Sequence, residues 1–139
     1  MVDLAIVGGG PAGSAAAITA ARSGLSVLLV DRATFPRDKC CGDGLTALAL
    51  RLGEGLGLDP LVIPGWQTVE DLVIHPPGGR STRYPLPCGD GLYAAVVPRM
   101  QYDAALLDLA RSAGADVRYG HGLTGINVDG DVATLEVEG

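Results

Sequence analysis

Three glycines and one carboxylate carry the most legible chemistry in this chain. Within Gly8-Gly9-Gly10-Pro11-Ala12-Gly13, residues Gly8, Gly10 and Gly13 fit G-x-G-x-x-G, and Asp31 follows Gly13 by 18 positions. The pattern acts through the backbone. Gly8 permits a tight turn, Gly10 lets a pyrophosphate approach the main chain, and Gly13 lets a helix pack close to a strand. The first-turn N–H groups of that helix have no acceptor of their own and, with the helix dipole, attract phosphate oxygens. Pro11 suits the first turn because its missing N–H removes one such donor. Asp31 is spaced to accept hydrogen bonds from ribose hydroxyls. These residues predict a site for the ADP half of a dinucleotide. A turn that only packs helix against strand does not account for a strand, a helix and an acid in register.

Other residues leave more than one reading open. Cys41 precedes Gly42-Asp43-Gly44. It reads either as a proton donor or gate, with Lys39 or Arg37 able to lower its pKa, or as a small residue that only packs. A Cys40–Cys41 disulfide would be strained, so Cys40 reads as a neutral neighbour. Cys88, between Pro87 and Gly89, reads as a loop residue. Asp43 either orients water or hydroxyls or stabilises a turn. Arg37 and Lys39 either contact phosphate or lie in a solvated loop. Arg99 opens a helix, where a cation opposes the dipole and an anionic partner becomes attractive. His75 and His121 stand alone and read as structural. Three cysteines without C-x-x-C spacing predict neither a disulfide scaffold nor a zinc site.

The elements that must position these groups follow from patterning. The apolar run Val2–Val7 predicts a strand, Ser14–Arg22 a helix stopped at Gly24, and Val27–Val30 a second strand ending at Asp31. After the polar loop Arg32–Asp43, Leu45, Leu48, Leu52 and Leu56 predict a short amphipathic helix over Gly44–Gly57. Val69–His75 and Arg80–Tyr84 predict strands around Pro76-Pro77-Gly78-Gly79, and Leu92–Val97 a further strand. Pro98-Arg99 opens a helix with Tyr102, Leu106, Leu109 and Ala113 on one face and Gly114 as its stop. Asp116–Tyr119 predicts a third parallel strand. Leu123–Val128 and Val132–Val137 predict a hairpin turning at Asp129-Gly130. The fold class is α/β: a Rossmann-like βαβ unit with a parallel sheet plus a β-hairpin and meander, ending before the sheet is complete.

Composition bounds the rest. The 139 residues suit one domain, and 47% hydrophobic content with one Phe and one Trp predicts a core of Ala, Val, Leu and Ile. A net charge of −6 argues against a nucleic-acid surface and offers no polybasic signal for anionic lipid. No apolar run reaches the roughly 20 residues of a spanning helix. Met1-Val2-Asp3 lacks the basic region of a signal peptide, which predicts a cytoplasmic protein.

The loop after Asp31 narrows the class. Phe35-Pro36-Arg37-Asp38-Lys39-Cys40-Cys41-Gly42-Asp43-Gly44-Leu45 resembles the F-P-R-x-K-x-C-G-D-G-L segment of the geranylgeranyl reductase family. Val97-Pro98-Arg99-Met100-Gln101-Tyr102-Asp103 resembles the family's second landmark, an Arg opening a helix with an aromatic–Asp pair. That family consists of FAD-dependent oxidoreductases with a hydroxybenzoate-hydroxylase-like fold, including enzymes that saturate isoprenoid double bonds. A plain NAD-binding domain would leave Phe35–Leu45 unexplained.

The resemblance implies FAD as cofactor. It places Gly8, Gly10, Pro11, Ala12 and Gly13 at the pyrophosphate and Asp31 at the adenosine ribose. Arg32 is implied beside the adenine, and Arg99 at the pyrophosphate or ribityl side. Cys41, Gly42, Asp43 and Gly44 are implied near the isoalloxazine, with Cys41 the candidate catalytic residue, and Leu123 against adenine through its backbone. No metal ligand is implied. An external donor, NAD(P)H or another, would reduce the flavin, and the substrate would be a small molecule or isoprenoid lipid, with peripheral membrane contact. On this reading residues 1–139 are the N-terminal part of an FAD/NAD(P)-binding domain, and 60–97 begin a β insertion that covers substrate. Cys40 departs from the family, and the later Gly-Asp motif is expected beyond Gly139. A monooxygenase or halogenase of the same fold, and a non-catalytic dinucleotide-binding fragment, are the alternative readings.

Overall fold

Val27–Asp31 is buried at four of five positions, whereas Leu4–Val7 alternates half-buried and exposed residues, the signatures of a central strand and a flanking one. The computed structural model describes residues 1–87 and 94–139, so Cys88 and Leu92 lie outside the described residues. In chain order the elements are β1 (Leu4–Val7), α1 (Pro11–Arg22), β2 (Val27–Asp31), β3 (Gly44–Thr46), α2 (Ala47–Gly55), a 3-10 turn (Pro60–Val62), β4 (Gln67–Thr68), β5 (Asp71–Ile74) and β6 (Thr82–Pro85). They continue with β7 (Ala94–Val96), α3 (Arg99–Ser112), β8 (Asp116–Tyr119), β9 (Gly122–Asp129) and β10 (Val132–Glu138). Two compact units result: Met1–Lys39 with Arg99–Gly139, and Cys40–Pro98. The second starts at Cys40, upstream of residue 60.

In the first unit β2 lies between β1 and β8, parallel to both, with Leu4 opposite Val27 and Leu28 opposite Asp116. The alanine-rich α1 is a strong helix former and packs against α3 as well as β1 and β2. Ser14, Ala17 and Ile18 form its buried stripe at i, i+3, i+4. Leu29 from the sheet and Leu106 and Leu107 from α3 complete this core at 2% exposure or less, each burial contributing roughly 1.5–3 kcal/mol. Both helices end in the same closure: Leu25 N–H returns to Ala20 O at 3.2 Å, and Ala115 N–H to Ala110 O at 3.1 Å. The antiparallel hairpin β9–β10 borders a cavity of about 70 Å³, lined by Leu28 and Val30 of β2 and by Leu135 and Val137 of β10.

Among the described residues, the second unit has two small antiparallel sheets, β3-β7-β4 and β5-β6. Thr46 caps α2, its hydroxyl oxygen accepting from Ala49 N–H at 3.5 Å. Asp59 likewise accepts from Leu61 N–H at 2.9 Å to start the 3-10 turn. The Asp71 carboxylate pairs with the Arg83 guanidinium across β5 and β6.

Five expectations shift. The Gly44–Gly57 stretch is not one helix, because Gly44–Thr46 pairs with β7 and Thr46 then caps the shorter α2. The buried stripe of α3 is Tyr102, Asp103, Leu106, Leu107 and Ala110, not the face through Leu109 and Ala113. Asp103, Leu106, Leu107 and Ala110 follow i, i+3, i+4, i+7, and excluding the acid from the core rotated the expected face. The hairpin turns at Gly130-Asp131, one residue later than expected, since Asp129 pairs with Val132. The first strand begins at Leu4 rather than Val2, and α1 begins at Pro11.

Candidate functional site

The glycine turn hangs between β1 and β2. Gly8 leaves β1 with φ +105° and donates its N–H to Val30 O at 2.8 Å, tying the turn to the central strand. A Cβ on Gly13 would strike the Gly8 carbonyl oxygen, so only glycine closes helix onto strand here. Gly10 is the extended N-cap of α1 and offers no side-chain acceptor, which leaves first-turn N–H groups without a capping partner. Around Gly10 the space is open. The nearest groups to a Cβ placed there are the Nη2 atoms of Arg37 and Arg99, each at 3.9 Å.

Asp31 builds this turn from the end of β2. Its Oδ2 accepts from Gly9 N–H at 2.7 Å and its Oδ1 from Ala33 N–H at 2.8 Å, at 8% exposure. Each carboxylate oxygen keeps capacity for a second donor such as a hydroxyl. The Asp31 carbonyl also accepts from His121 N–H at 2.9 Å, joining the ends of β2 and β8. Arg32 is exposed, and its Cβ lies 3.6 Å from where a Cβ on Gly122 would stand, next to Leu123 in β9.

Two guanidiniums and one carboxylate stand beside the turn. Asp103 on α3 is fully buried, and Arg99 one turn earlier donates to it through Nε and Nη2, both at 2.8 Å. Arg37 Nη1 lies 3.2 Å from Asp103 Oδ2, at ion-pair distance but without hydrogen-bond alignment, and is buried. The Arg37 guanidinium stacks 4.6 Å from the centroid of the Phe35 ring, which itself meets Tyr119 at 5.2 Å. Arg37 is therefore not part of a solvated loop, whereas Lys39 is exposed. Beside Asp103, burial pushes the Tyr102 phenol above its ordinary value, the Asp103 charge adds to that and the Arg99 charge opposes it. The phenol is thus a neutral hydroxyl at physiological pH.

Residues 3–47 match the family model described as FAD dependent oxidoreductase. The menaquinone reductase of Mycobacterium tuberculosis is 62% identical over 56 residues, 40% of this chain and 14% of that protein. The digeranylgeranylglycerophospholipid reductase 2 of Methanopyrus kandleri is 35% identical over 99% of this chain and 33% of its own length. Among solved structures, a geranylgeranyl bacteriochlorophyll reductase-like protein of Thermoplasma acidophilum superposes with a TM-score of 0.82, 27% identity, over 98% of this chain and 34% of that one. Over almost its whole length the chain is similar to reductases of geranylgeranyl lipids, and residues 3–47 carry the FAD-dependent oxidoreductase pattern. It spans about a third of the length of the Methanopyrus relative. The myxobacterial chondrochloren halogenase matches equally well in shape, with a TM-score of 0.83 and 27% identity over 98% of this chain and 32% of its own, so the fold is shared with halogenases.

The residues of the first unit fit the ADP half of FAD. The space at Gly10, the uncapped N-terminus of α1 and the Nη2 atoms of Arg37 and Arg99 facing it all suit an anion there. In the second unit, Cys40 and Cys41 are exposed and Asp43 adopts φ +53°. The Asp43 carbonyl accepts from the buried Val97 N–H at 3.0 Å, and Gly44 pairs with Val96 to begin β3. The structure thus brings together Gly8–Gly13, Asp31 and Arg99 in one unit and places Cys41–Gly44 in the other. Sequence reasoning quoted Asp103 and Phe35 only as motif letters. The signal that marks them is a polar residue inside an apolar stripe and an aromatic two positions before an arginine.

Proposed function

We propose that this chain provides the FAD-binding part of an oxidoreductase that saturates carbon–carbon double bonds of an isoprenoid. The observation that carries the cofactor is the open backbone cradle at Gly10, faced by Arg37 and Arg99. The isoprenoid substrate rests on the similarity to the Methanopyrus reductase along almost the whole chain, including Phe35–Leu45.

The first-turn N–H groups of α1 and Arg99 hold the diphosphate, and Asp31 accepts from the ribose hydroxyls. Arg32 and the Leu123 backbone border the adenine. Cys41, Gly42, Asp43 and Gly44 lie beside the isoalloxazine, with Cys41 holding the proton that the reduced substrate carbon takes up. When bound, FAD supplies the two-electron chemistry, and the chain contributes binding, orientation and exclusion of water. An external donor such as NAD(P)H is the source of electrons. Residues 60–97 cover the substrate, and the whole protein works in the cytoplasm against a membrane surface that presents the lipid.

Purification with added FAD, desalting and a visible absorption scan test the cofactor. Retained flavin bands that disappear in the Gly10→Val, Gly13→Val variant are expected. A colourless protein that fails to quench flavin fluorescence would overturn the proposal. For the substrate, menaquinone or a geranylgeranyl lipid is incubated with reductant and the product weighed by mass spectrometry. A gain of two hydrogens per reduced bond is expected. Unchanged lipid with rapid oxygen uptake would favour the monooxygenase or halogenase reading instead.

A further inference from the structure

The FAD reading leaves one buried group without a task. Asp103 is a fully buried carboxylate in the middle of the apolar stripe of α3, where leucine would otherwise fit. A carboxylate is costly to bury unless its partners are well placed, and replacing such an ion pair by apolar side chains is often neutral or stabilising. Stability alone therefore gives a weak reason for an acid at this position.

Its partners supply a better one. Arg99 binds Asp103 side-on through two nitrogens, which sets the plane of that guanidinium. Arg37 reaches the same carboxylate from the loop after β2, with its plane set by the Phe35 ring. The Nη2 atoms of both arginines then stand equally far, 3.9 Å, from the Cβ position of Gly10. Two like charges do not converge on one spot unaided. The shared carboxylate lowers their repulsion and leaves the trio with one net positive charge next to the N-terminus of α1. Arg37 Nη1 is spent against Asp103, while Nη2 of the same fork faces Gly10.

We infer that Asp103 is the positioning residue of the phosphate site, holding Arg37 and Arg99 as a two-arginine clamp, and that Arg37 is the clamp's second contact to the cofactor diphosphate. This rests on the FAD reading and adds a residue on the loop and a residue on the helix to it. Asp103 touches no phosphate itself; it acts through the two guanidiniums.

The test measures the FAD dissociation constant by fluorescence quenching, against salt concentration, for the wild type and for Arg37→Gln, Arg37→Lys and Asp103→Asn. Arg37→Gln is expected to weaken FAD about tenfold and to flatten the salt dependence, because one phosphate-facing cation is gone. Arg37→Lys keeps the charge without the fork or the stack and is expected to restore the salt dependence but only part of the affinity. Asp103→Asn separates positioning from charge. Deleting a nearby negative charge should tighten anion binding if charge alone mattered, whereas loss of alignment weakens it. Weaker FAD binding in Asp103→Asn, with circular dichroism unchanged, supports the inference; unchanged or tighter binding overturns it. Should Asp103→Asn fail to fold, the two Arg37 variants decide. Wild-type binding with Arg37→Gln unaffected overturns the clamp while leaving the FAD reading intact. No FAD binding by the wild type overturns both.

Discussion

The two units are built on different terms. Met1–Lys39 with Arg99–Gly139 buries Ile18, Leu29, Leu106 and Leu107 between two helices and a parallel sheet. Cys40–Pro98 buries Ile63, Ala95 and Val97 among the described residues, while Leu48 and Leu52 of its helix stay 66% and 62% exposed. The residues proposed to hold diphosphate and ribose belong to the densely packed unit. The segment proposed to lie by the reacting ring, Cys41–Gly44, belongs to the thinly packed one. Anchoring a cofactor requires backbone groups fixed to a fraction of an ångström, which a close-packed core supplies. Adapting to a substrate does not.

The sharpest way to break this contrast is at Gly13. Alanine there meets the Gly8 carbonyl and forces helix from strand, an expected loss of ~3 kcal/mol together with flavin retention. Urea unfolding and the absorption scan read both, and a stable, yellow Gly13→Ala protein would refute the geometry. Next comes a pair of leucines. Leu106→Ala in the first unit should cost about 2–5 kcal/mol, while Leu52→Ala in the second should stay within about 0.5 kcal/mol. Equal losses in parallel urea titrations would erase the distinction between the units. Cys41→Ser tests the division of labour. FAD affinity should change less than about twofold because the thiol is outside the anchoring unit, while lipid reduction falls. A comparable drop in both would place the thiol in cofactor anchoring.

The smallest effect concerns acid. Asp3 is held below the ordinary carboxylate range by the Ser26 hydroxyl and then the Ser26 N–H, and Asp71 chiefly by its hydrogen bond from Arg83. A lowered folded-state pKa stabilises above the unfolded value near about 4 and is lost as pH falls through the lowered one. Melting temperatures between pH 2 and 6 should show a slight loss at the acid end. Ser26→Ala should remove the hydroxyl's share of the part in the first unit at any salt, the Ser26 N–H bond remaining. Added salt should remove only the part in the second, since one pin is a neutral hydroxyl and the other an ion pair. Identical salt responses would contradict that assignment.

The glycine turn was legible because each of its parts is a local backbone demand. Gly8, Gly13 and Asp31 act within one strand–turn–helix–strand stretch, and their spacing alone predicts what the structure places there. Parallel pairing of Asp116–Tyr119 with β2 was also legible, from a short run that follows a helix and its glycine stop. Two things were not. Thr46 turned a predicted helix start into a strand end, because pairing with β7 lies 50 residues away in sequence and leaves no trace in local periodicity. The role of Asp103 was hidden for the opposite reason: it sits at a core position of α3, and hydrophobic patterning discards acids from a core. A polar residue that violates the pattern without a cap or a turn to explain it was the missing clue.

The first unit is interrupted in the chain, since β8 joins β2 only after all of Cys40–Pro98 has been made. During synthesis β1, α1 and β2 can assemble from near neighbours, with the β2 edge waiting for a late partner. The entropy of that wait grows only with the logarithm of the intervening length, about 0.6 kcal/mol per doubling. The parallel sheet is therefore nearly indifferent to how long the insert is. A lineage could lengthen, trim or exchange Cys40–Pro98 almost freely while inheriting the parallel sheet and its glycine turn unchanged.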